Sequence, residues 1–285
     1  MSSPRPLGRG DALRILAEEG IELKRSLGQH LVVDPNTLER IARLARVGPG
    51  DHVLEIGPGA GSLTLALVAT GARVVAVEID RRLAALARAV VGERARIVEG
   101  DALELDFAEL LSGAAPWTLV ANLPYNVAAT IVLRLLELAP QVRRMLVMVQ
   151  REVGERLAAQ PGTKAYGAVT VRVAYFATAR LAGRVSAEVF HPRPNVDSAL
   201  VDLVRRDLPA VEEALASYPE IVELVRAGFA GRRKMLRRSL AALVPPEAYR
   251  AAGIDPTSRA EQLDVVAWGK LAGCRRSLTS RRSPS

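Results

Sequence analysis

The stretch Asn122-Leu123-Pro124-Tyr125-Asn126 holds the residue types best suited to chemistry. It follows a short apolar run, 117–121, that reads as a buried strand between Pro116 and Pro124. Open α/β sheets bind ligands at the carboxyl ends of such strands. The chemistry these residues suit is the holding of a flat ring that bears an amino group. Tyr125 offers a stacking face of the kind an unstacked base requires. Asn122 offers a side-chain carbonyl as acceptor. Leu123 adds a backbone carbonyl, and Pro124, which has no N–H, biases Leu123 toward an extended conformation. The same five residues serve equally well as a strand-to-helix turn in which Asn126 caps a helix starting near Val127. The pentapeptide alone leaves both readings open.

A second group lies upstream. Glu55-Ile56-Gly57-Pro58-Gly59-Ala60-Gly61 sits between an expected strand, 52–56, and an expected helix, 62–69. Glycines there let a ligand approach the backbone closely. A nicotinamide-binding loop is the rival reading, but the spacing is G-x-G-x-G rather than G-x-G-x-x-G. Glu55 ahead of the loop would repel a pyrophosphate and attract a cationic, amino-acid-bearing ligand. Glu78, 21 residues after Gly57, ends the second strand and is placed to accept the two ribose hydroxyls. Asp101 ends the third and can accept from an adenine amino group. Both acids also suit helix N-termini. Together the set outlines a pocket for an adenosine with no phosphate and a cationic tail, which is S-adenosylmethionine.

The elements that must position these groups follow from pattern. Strands are expected at 52–56, 73–77, 96–99, 117–121 and 145–149, with helices at 62–69, 80–91, 127–139 and 151–159 between and after them. A helix capped by Asp34 precedes them. That alternation is a doubly wound α/β sheet. Two more strands, 169–176 and 199–204, would complete seven through an antiparallel hairpin, around the proline-locked loop 190–196. After Arg206 the pattern turns helical, at 211–217, 219–230, 232–243, 246–252 and 259–271. The expected division is a catalytic, cofactor-binding domain over 1–205, a helical domain over 206–274 and a basic, disordered tail over 275–285. Residues 1–20 read as a flexible extension.

Composition bounds the rest. The 285 residues are 49% hydrophobic and carry a net charge of +8, with a pI near 10.2. From Arg206 onward 14 Lys and Arg face 9 Asp and Glu, which places +5 of the +8 there. Such a surplus is the footprint of a polyanion partner, nucleic acid above all, though an arginine-rich composition explains part of it. The single Cys274 excludes an internal disulfide framework, and three dispersed histidines suggest no metal site. No apolar run is long enough to span a membrane, and 1–10 lacks a signal-peptide core. A cytoplasmic protein is expected.

In joint order and spacing these motifs resemble the small-subunit (16S) ribosomal RNA adenine N6,N6-dimethyltransferases, the KsgA/RsmA family. The resemblance covers roughly 22–271. It is carried by Lys24-Arg25-Ser26-Leu27-Gly28-Gln29-His30, Glu55-Ile56-Gly57-Pro58-Gly59, Val77-Glu78-Ile79-Asp80, Gly100-Asp101-Ala102 and the pentapeptide. It continues through Lys164-Ala165-Tyr166-Gly167, Phe190-His191-Pro192-Arg193-Pro194, Arg232-Arg233-Lys234-Met235-Leu236-Arg237 and Ala252-Gly253-Ile254-Asp255-Pro256. It implies a Rossmann-like class I methyltransferase with a small all-α C-terminal domain, acting as a monomer on small-subunit rRNA in the immature 30S subunit. It implies cofactor contacts at His30, Val32, Gly57, Glu78, Asp101 and Asn122, and a target adenine sandwiched by Tyr125 and Phe190. Asn122, Leu123, Pro124, Tyr125 and Phe190 would then form the catalytic group. Lys24, Arg25, Arg233, Lys234, Arg237 and Arg238 would hold phosphates. The chain departs from the family where His30 replaces a common Asn, Leu31 a common Phe, and Ala128-Ala129 a common Ser-Thr pair. A methyltransferase acting on DNA or on large-subunit (23S) rRNA in the manner of the Erm enzymes shares the pocket. A non-catalytic assembly factor would share the fold.

Overall fold

The computed structural model describes residues 4–24, 28–113, 116–231 and 233–280. The chain forms two units, Met1–Gly154 with Arg180–Arg205, and Glu155–Ala179 with Arg206–Ser285.

In the first unit α1 (Arg9–Glu18), β1 (Leu31–Val32) and α2 (Pro35–Ala45) precede the main sheet. Then β2 (His52–Ile56), α3 (Ser62–Val68), β3 (Arg73–Glu78), α4 (Arg81–Val91), β4 (Ala95–Glu99), α5 (Phe107–Leu110), β5 (Trp117–Asn122), α6 (Ala128–Leu138) and β6 (Val142–Gln150) alternate. After α7 (Arg151–Leu157) and α8 (Ala168–Phe176) come β7 (Ala177–Val185), β8 (Phe190–His191) and β9 (Ser198–Arg205). The seven-stranded sheet has the order β4-β3-β2-β5-β6-β9-β7. β4, β3, β2, β5 and β6 pair in parallel, and β9 runs antiparallel to β6. β1 and β8 form a separate antiparallel pair, with Leu31 opposite His191 and Val32 opposite Phe190.

Local chemistry explains these elements. All of β2 except His52 is buried, as an apolar strand covered on both faces must be. Asp34 caps α2 by accepting the Thr37 N–H at 2.9 Å, with Pro35 in the first turn. Leu38, Ile41, Ala42 and Ala45 give α2 one buried face. Asp80 caps α4 through the Arg82 and Leu83 N–H groups. The strand order reverses at β2, so the loops after β2 and β5 diverge and leave a crevice above the sheet. On β9, buried Asp202 accepts from Arg144 of β6 at 2.8 Å and from Arg180 of β7. Arg144 also donates to the Leu44 and Ala45 carbonyls that end α2.

The expected flexible extension over 1–20 is helical from Arg9. Ala12 and Leu16 are buried, and Leu16 packs with Ala60, Leu83 and Leu86. Arg82 donates to the Glu19 and Gly20 carbonyls, which fixes the helix end.

The second unit holds α8, α9 (Tyr218–Ala230), α10 (Leu236–Ser239), α11 (Pro246–Ala252) and α12 (Val265–Ser280) around Trp268, Tyr166, Leu224, Leu236 and Tyr249. The strand expected at 169–176 is α8. Its Val171 and Tyr175 belong to this helical core, which overrides their β-branched and aromatic preference. The sheet takes β7 instead. The chain therefore crosses between units twice more than a division at 205/206 implies. Residues 211–217 form turns rather than a helix. Among the described residues of 233–243 only α10 is α-helical, and it does not begin earlier because the Leu236 and Arg237 N–H groups go to the Ser258 and Pro256 carbonyls. The tail expected over 275–285 is helical as far as Ser280, and its last five residues lie outside the described ones. Among the described residues no helix is long and apolar enough to cross a membrane.

Candidate active site

The loop after β2 turns through glycines in the left-handed region, with φ 75° at Gly57, 56° at Gly59 and 83° at Gly61. At Gly59 space is also decisive, since a Cβ there would lie 2.2 Å from Leu31 Cδ2. Strand β1 thus rests on the loop's bare backbone.

The acids around the loop differ. Glu78 is 5% exposed; it accepts the Gly59 N–H at 3.0 Å and the Asp80 N–H at 3.1 Å. Burial pushes its carboxyl up, and those N–H groups oppose the shift. Asp101 accepts the Leu103 N–H at 2.8 Å. Glu55 is not the anion expected beside the loop. It is 1% exposed, accepts the Thr64 hydroxyl at 2.7 Å, and is pushed up to about 8, chiefly by burial. That burial disfavours its charged form near neutral pH.

A cleft of about 330 Å³ opens at the crevice. His30, Gly57, Glu78, Asp101, Asn122 and Pro124 all border it. Val32 borders a smaller adjoining cavity of about 20 Å³, which also takes in Glu55, Gly57, Ser62 and Asn122. Asn122 is therefore part of the wall of both.

Asn122 donates from Nδ2 to the His30 carbonyl at 2.7 Å. A carbonyl only accepts, so the amide nitrogen must face it and Oδ1 must face away. That Oδ1 is buried with no hydrogen-bond donor. An orphaned buried acceptor costs about 1–3 kcal/mol, which a ligand N–H would relieve. The Leu123 side chain is buried, and its N–H donates to the Met148 carbonyl at 3.0 Å. Tyr125 Oη shares a hydrogen bond with Ser198 Oγ at 2.7 Å, and burial pushes the phenol up. The His30 ring stacks on Tyr125 with centroids 5.1 Å apart and planes at 27°, while its Nδ1 lies 2.6 Å from the Pro192 carbonyl.

Two expectations fail here. Phe190 is 1% exposed and packs with Val32, Leu38 and Ile41, because pairing of β8 with β1 turns its ring into the core; it presents no open stacking face. Asn126 does not cap α6, whose N-cap residue is Val127. Asn126 Oδ1 instead lies against Gly28, where a Cβ would come within 3.2 Å of it and 2.9 Å of the Tyr125 nitrogen. Lys24 is exposed, and Arg25 falls outside the described residues. Arg233, Lys234, Arg237 and Arg238 are exposed, but only the last two are on α10, so the expected four-residue cluster on one helix does not form.

Among the wall residues to which residue types alone gave no role are Gly28, Ile79 and Leu103. Ile79 is 61% exposed. The signal for it was an apolar residue set between two acids, Glu78 and Asp80, at a strand end. The cleft suits an adenosine-bearing cation, with carboxyls at Glu78 and Asp101, apolar walls at Ile79 and Leu103, and an orphaned acceptor at Asn122.

The sheet order and this crevice define the class I S-adenosylmethionine-dependent methyltransferase fold. Solved structures agree. A dimethyladenosine transferase from Plasmodium falciparum superposes with a TM-score of 0.71 at 26% identity, covering 85% of this chain and 95% of that one. The 23S rRNA methyltransferase ErmE gives 0.67 at 27% identity, covering 86% and 99%. Residues 20–272 match the family of ribosomal RNA adenine dimethylases, and the chain belongs to that family. It is 46% identical over 280 residues to the ribosomal RNA small subunit methyltransferase A of Thermobifida fusca (strain YX), covering 94% of this chain and 96% of that protein.

Proposed function

We propose that the chain dimethylates N6 of two adjacent adenines in the 3′-terminal hairpin of small-subunit (16S) rRNA, with S-adenosylmethionine as methyl donor. The observation that carries the reading is Asn122 Oδ1, buried, unpaired and fixed in direction by the His30 carbonyl. The strong likeness to a small-subunit enzyme supports the choice of RNA. The substrate is the immature 30S particle, met by a monomer in the cytoplasm.

The bound donor supplies an electrophilic sulfonium methyl. Gly57, Glu78, Asp101 and Ile79 would hold its adenosine and tail, with Glu78 to accept from the ribose hydroxyls and Asp101 from the adenine amine. The nucleophile is the exocyclic amine of the target adenine, whose lone pair is delocalised into the ring. Asn122 Oδ1 and the Leu123 carbonyl accept its two hydrogens, so the nitrogen pyramidalises and its lone pair points out of the ring plane. The effect is one of orientation, with electrostatic help as positive charge grows on N6. No strong base is required, because the alkylated nitrogen readily loses a proton. In the second round one hydrogen remains, and one acceptor goes without a partner. Unstacking the target base costs a few kcal/mol. Stacking on Tyr125 returns about 1–3 kcal/mol. Lys24, Arg25, Arg233, Lys234, Arg237 and Arg238 hold phosphates.

The test is incubation of the purified protein and methyl-labelled donor with 30S particles and 16S RNA from cells that lack the modification. Mass spectrometry of the 3′-terminal fragment should find two adjacent dimethyladenosines. Label confined to large-subunit RNA would favour an Erm-like activity, and tight binding without transfer would favour an assembly factor.

A further inference from the structure

We propose that a groove beside the catalytic turn receives the neighbouring adenine while its partner in the target pair is methylated, and that the Gln150 and Asn195 amides read it. This rests on the reading that Asn122 and Leu123 hold the target amine of an RNA with two adjacent adenines.

The groove has a volume of about 670 Å³ and is bordered by Gln150, Arg151, Glu152 and the loop 193–197. It lies at the carboxyl end of β6, where β9 begins. Asn122 is opposite Met148 on β6, and Gln150 stands two residues further along that strand. One strand spacing across and two residues of rise put the Gln150 backbone about 8 Å from that of Asn122. Gln150 is in turn opposite Ser198, whose hydroxyl shares a hydrogen bond with Tyr125. The groove therefore begins where the catalytic turn ends. An RNA strand opened at one adenine reaches it with the next nucleotide.

Asp197 holds the groove in shape. Its carboxylate accepts the Ala187 N–H at 3.0 Å and Arg184 Nε at 3.0 Å, and its carbonyl accepts the Arg151 N–H at 3.0 Å. The end of β7, the turn before β8 and the start of α7 are thus fixed to one residue. The ion pair with Arg184 also compensates the acid that an RNA strand would otherwise meet.

The lining chemistry suits adenine. An Asn or Gln amide pairs with adenine at two points, donating to N7 and accepting from the N6 amine. Bases drawn out of a helix are read along such edges. Val196, 47% exposed, adds apolar surface for a ring. Arg151 and Arg193, exposed on the border with one acid, Glu152, suit the flanking phosphates.

The experiment uses 30S particles rebuilt on 16S RNA whose ligated 3′ fragment carries purine, which lacks the 6-amino group, in place of one adenine of the pair. Each position is substituted in turn, and methyl transfer to the remaining adenine is followed. At one of the two positions purine should raise the KM by about fivefold to tenfold, the lower end of what one bidentate pair discriminates. The other position should show no change, because the strand runs one way through the site. In the double variant Gln150→Leu with Asn195→Ala, particles with and without purine should have the same KM, while cofactor affinity by equilibrium dialysis stays within about twofold. Asn195→Ala alone, on an exposed loop, should shrink the purine effect even if the double variant does not fold. A purine effect that is equal in the unsubstituted protein and in these variants would mean that the neighbour is read elsewhere, and would overturn the inference. An effect at both positions would overturn it too. If the unsubstituted protein dimethylates the intact pair and purine changes nothing at either position, only this inference fails. If it does not methylate the intact pair, the functional reading beneath it fails.

Discussion

The cleft and the cationic segment of the helical unit hold their side chains in opposite ways. Around the cleft the polar groups of the site are tied to fixed partners: Asn122 to the His30 carbonyl, Glu78 to two N–H groups, Tyr125 to Ser198. Along Arg233–Arg238 the cations are exposed, on backbone that is helical only from Leu236. The first arrangement makes a few groups decisive, because burial and prior orientation remove the cost of organising them during reaction. The second makes many groups individually minor, since each acts through water and salt.

Changes on the buried side should be large and specific. Asn122→Ala should lower kcat by about 10²- to 10³-fold while RNA affinity holds, as single-turnover transfer and filter binding would report. A comparable loss of RNA affinity would erase the contrast. Glu55 is next. Its carboxyl ionises near 4.5 in the unfolded chain and near 8 in the folded one. Its contribution to stability is complete below pH 4.5 and is lost as pH rises to about 8, a few kcal/mol in all. Glu55→Gln should flatten that decline, seen as urea midpoints that differ less between pH 5 and pH 8. Tyr125→Ala should cost about 1–3 kcal/mol of transition-state binding and spare the cofactor, as kcat/KM and dialysis would show. Smallest is the double neutralisation Arg233→Gln and Arg237→Gln. It should weaken RNA binding a few-fold and make the salt slope shallower by about 1–2 units. An unchanged slope would take this segment off the RNA.

Much of the α/β unit could be read from the chain because its signals are local. Asp34 and Asp80 are caps, and the strand ends at Glu78, Asp101 and Asn122 fall at one crevice, with His30 and Gly57 on the same cleft. The failures came where long-range contacts overrule local preference. Residues 169–176 alternate like a strand, yet Val171 and Tyr175 fill a helical core. β7, which does join the sheet, is rich in Ala and Arg and buried only at its two ends, so it carries no apolar alternation. The run 232–243 is made of good helix formers, but the N–H groups of Leu236 and Arg237 are claimed by residues 258 and 256. Phe190 has the right type and place in sequence for a stacking residue, and only the pairing of β8 with β1 shows that its ring points inward. His30 on Tyr125 is likewise a contact between loops about a hundred residues apart.

Gly59 and Leu31 set a tolerance on the whole site. Leu31 occupies the volume that a methyl group at position 59 would need, and the residue before it in the chain is His30, whose carbonyl aims Asn122. The middle glycine of the loop therefore works as a thickness gauge. It fixes how deeply β1 seats, and so where an amide across the sheet comes to point. A side chain at 59 would oblige the Leu31 side chain to turn away from the loop.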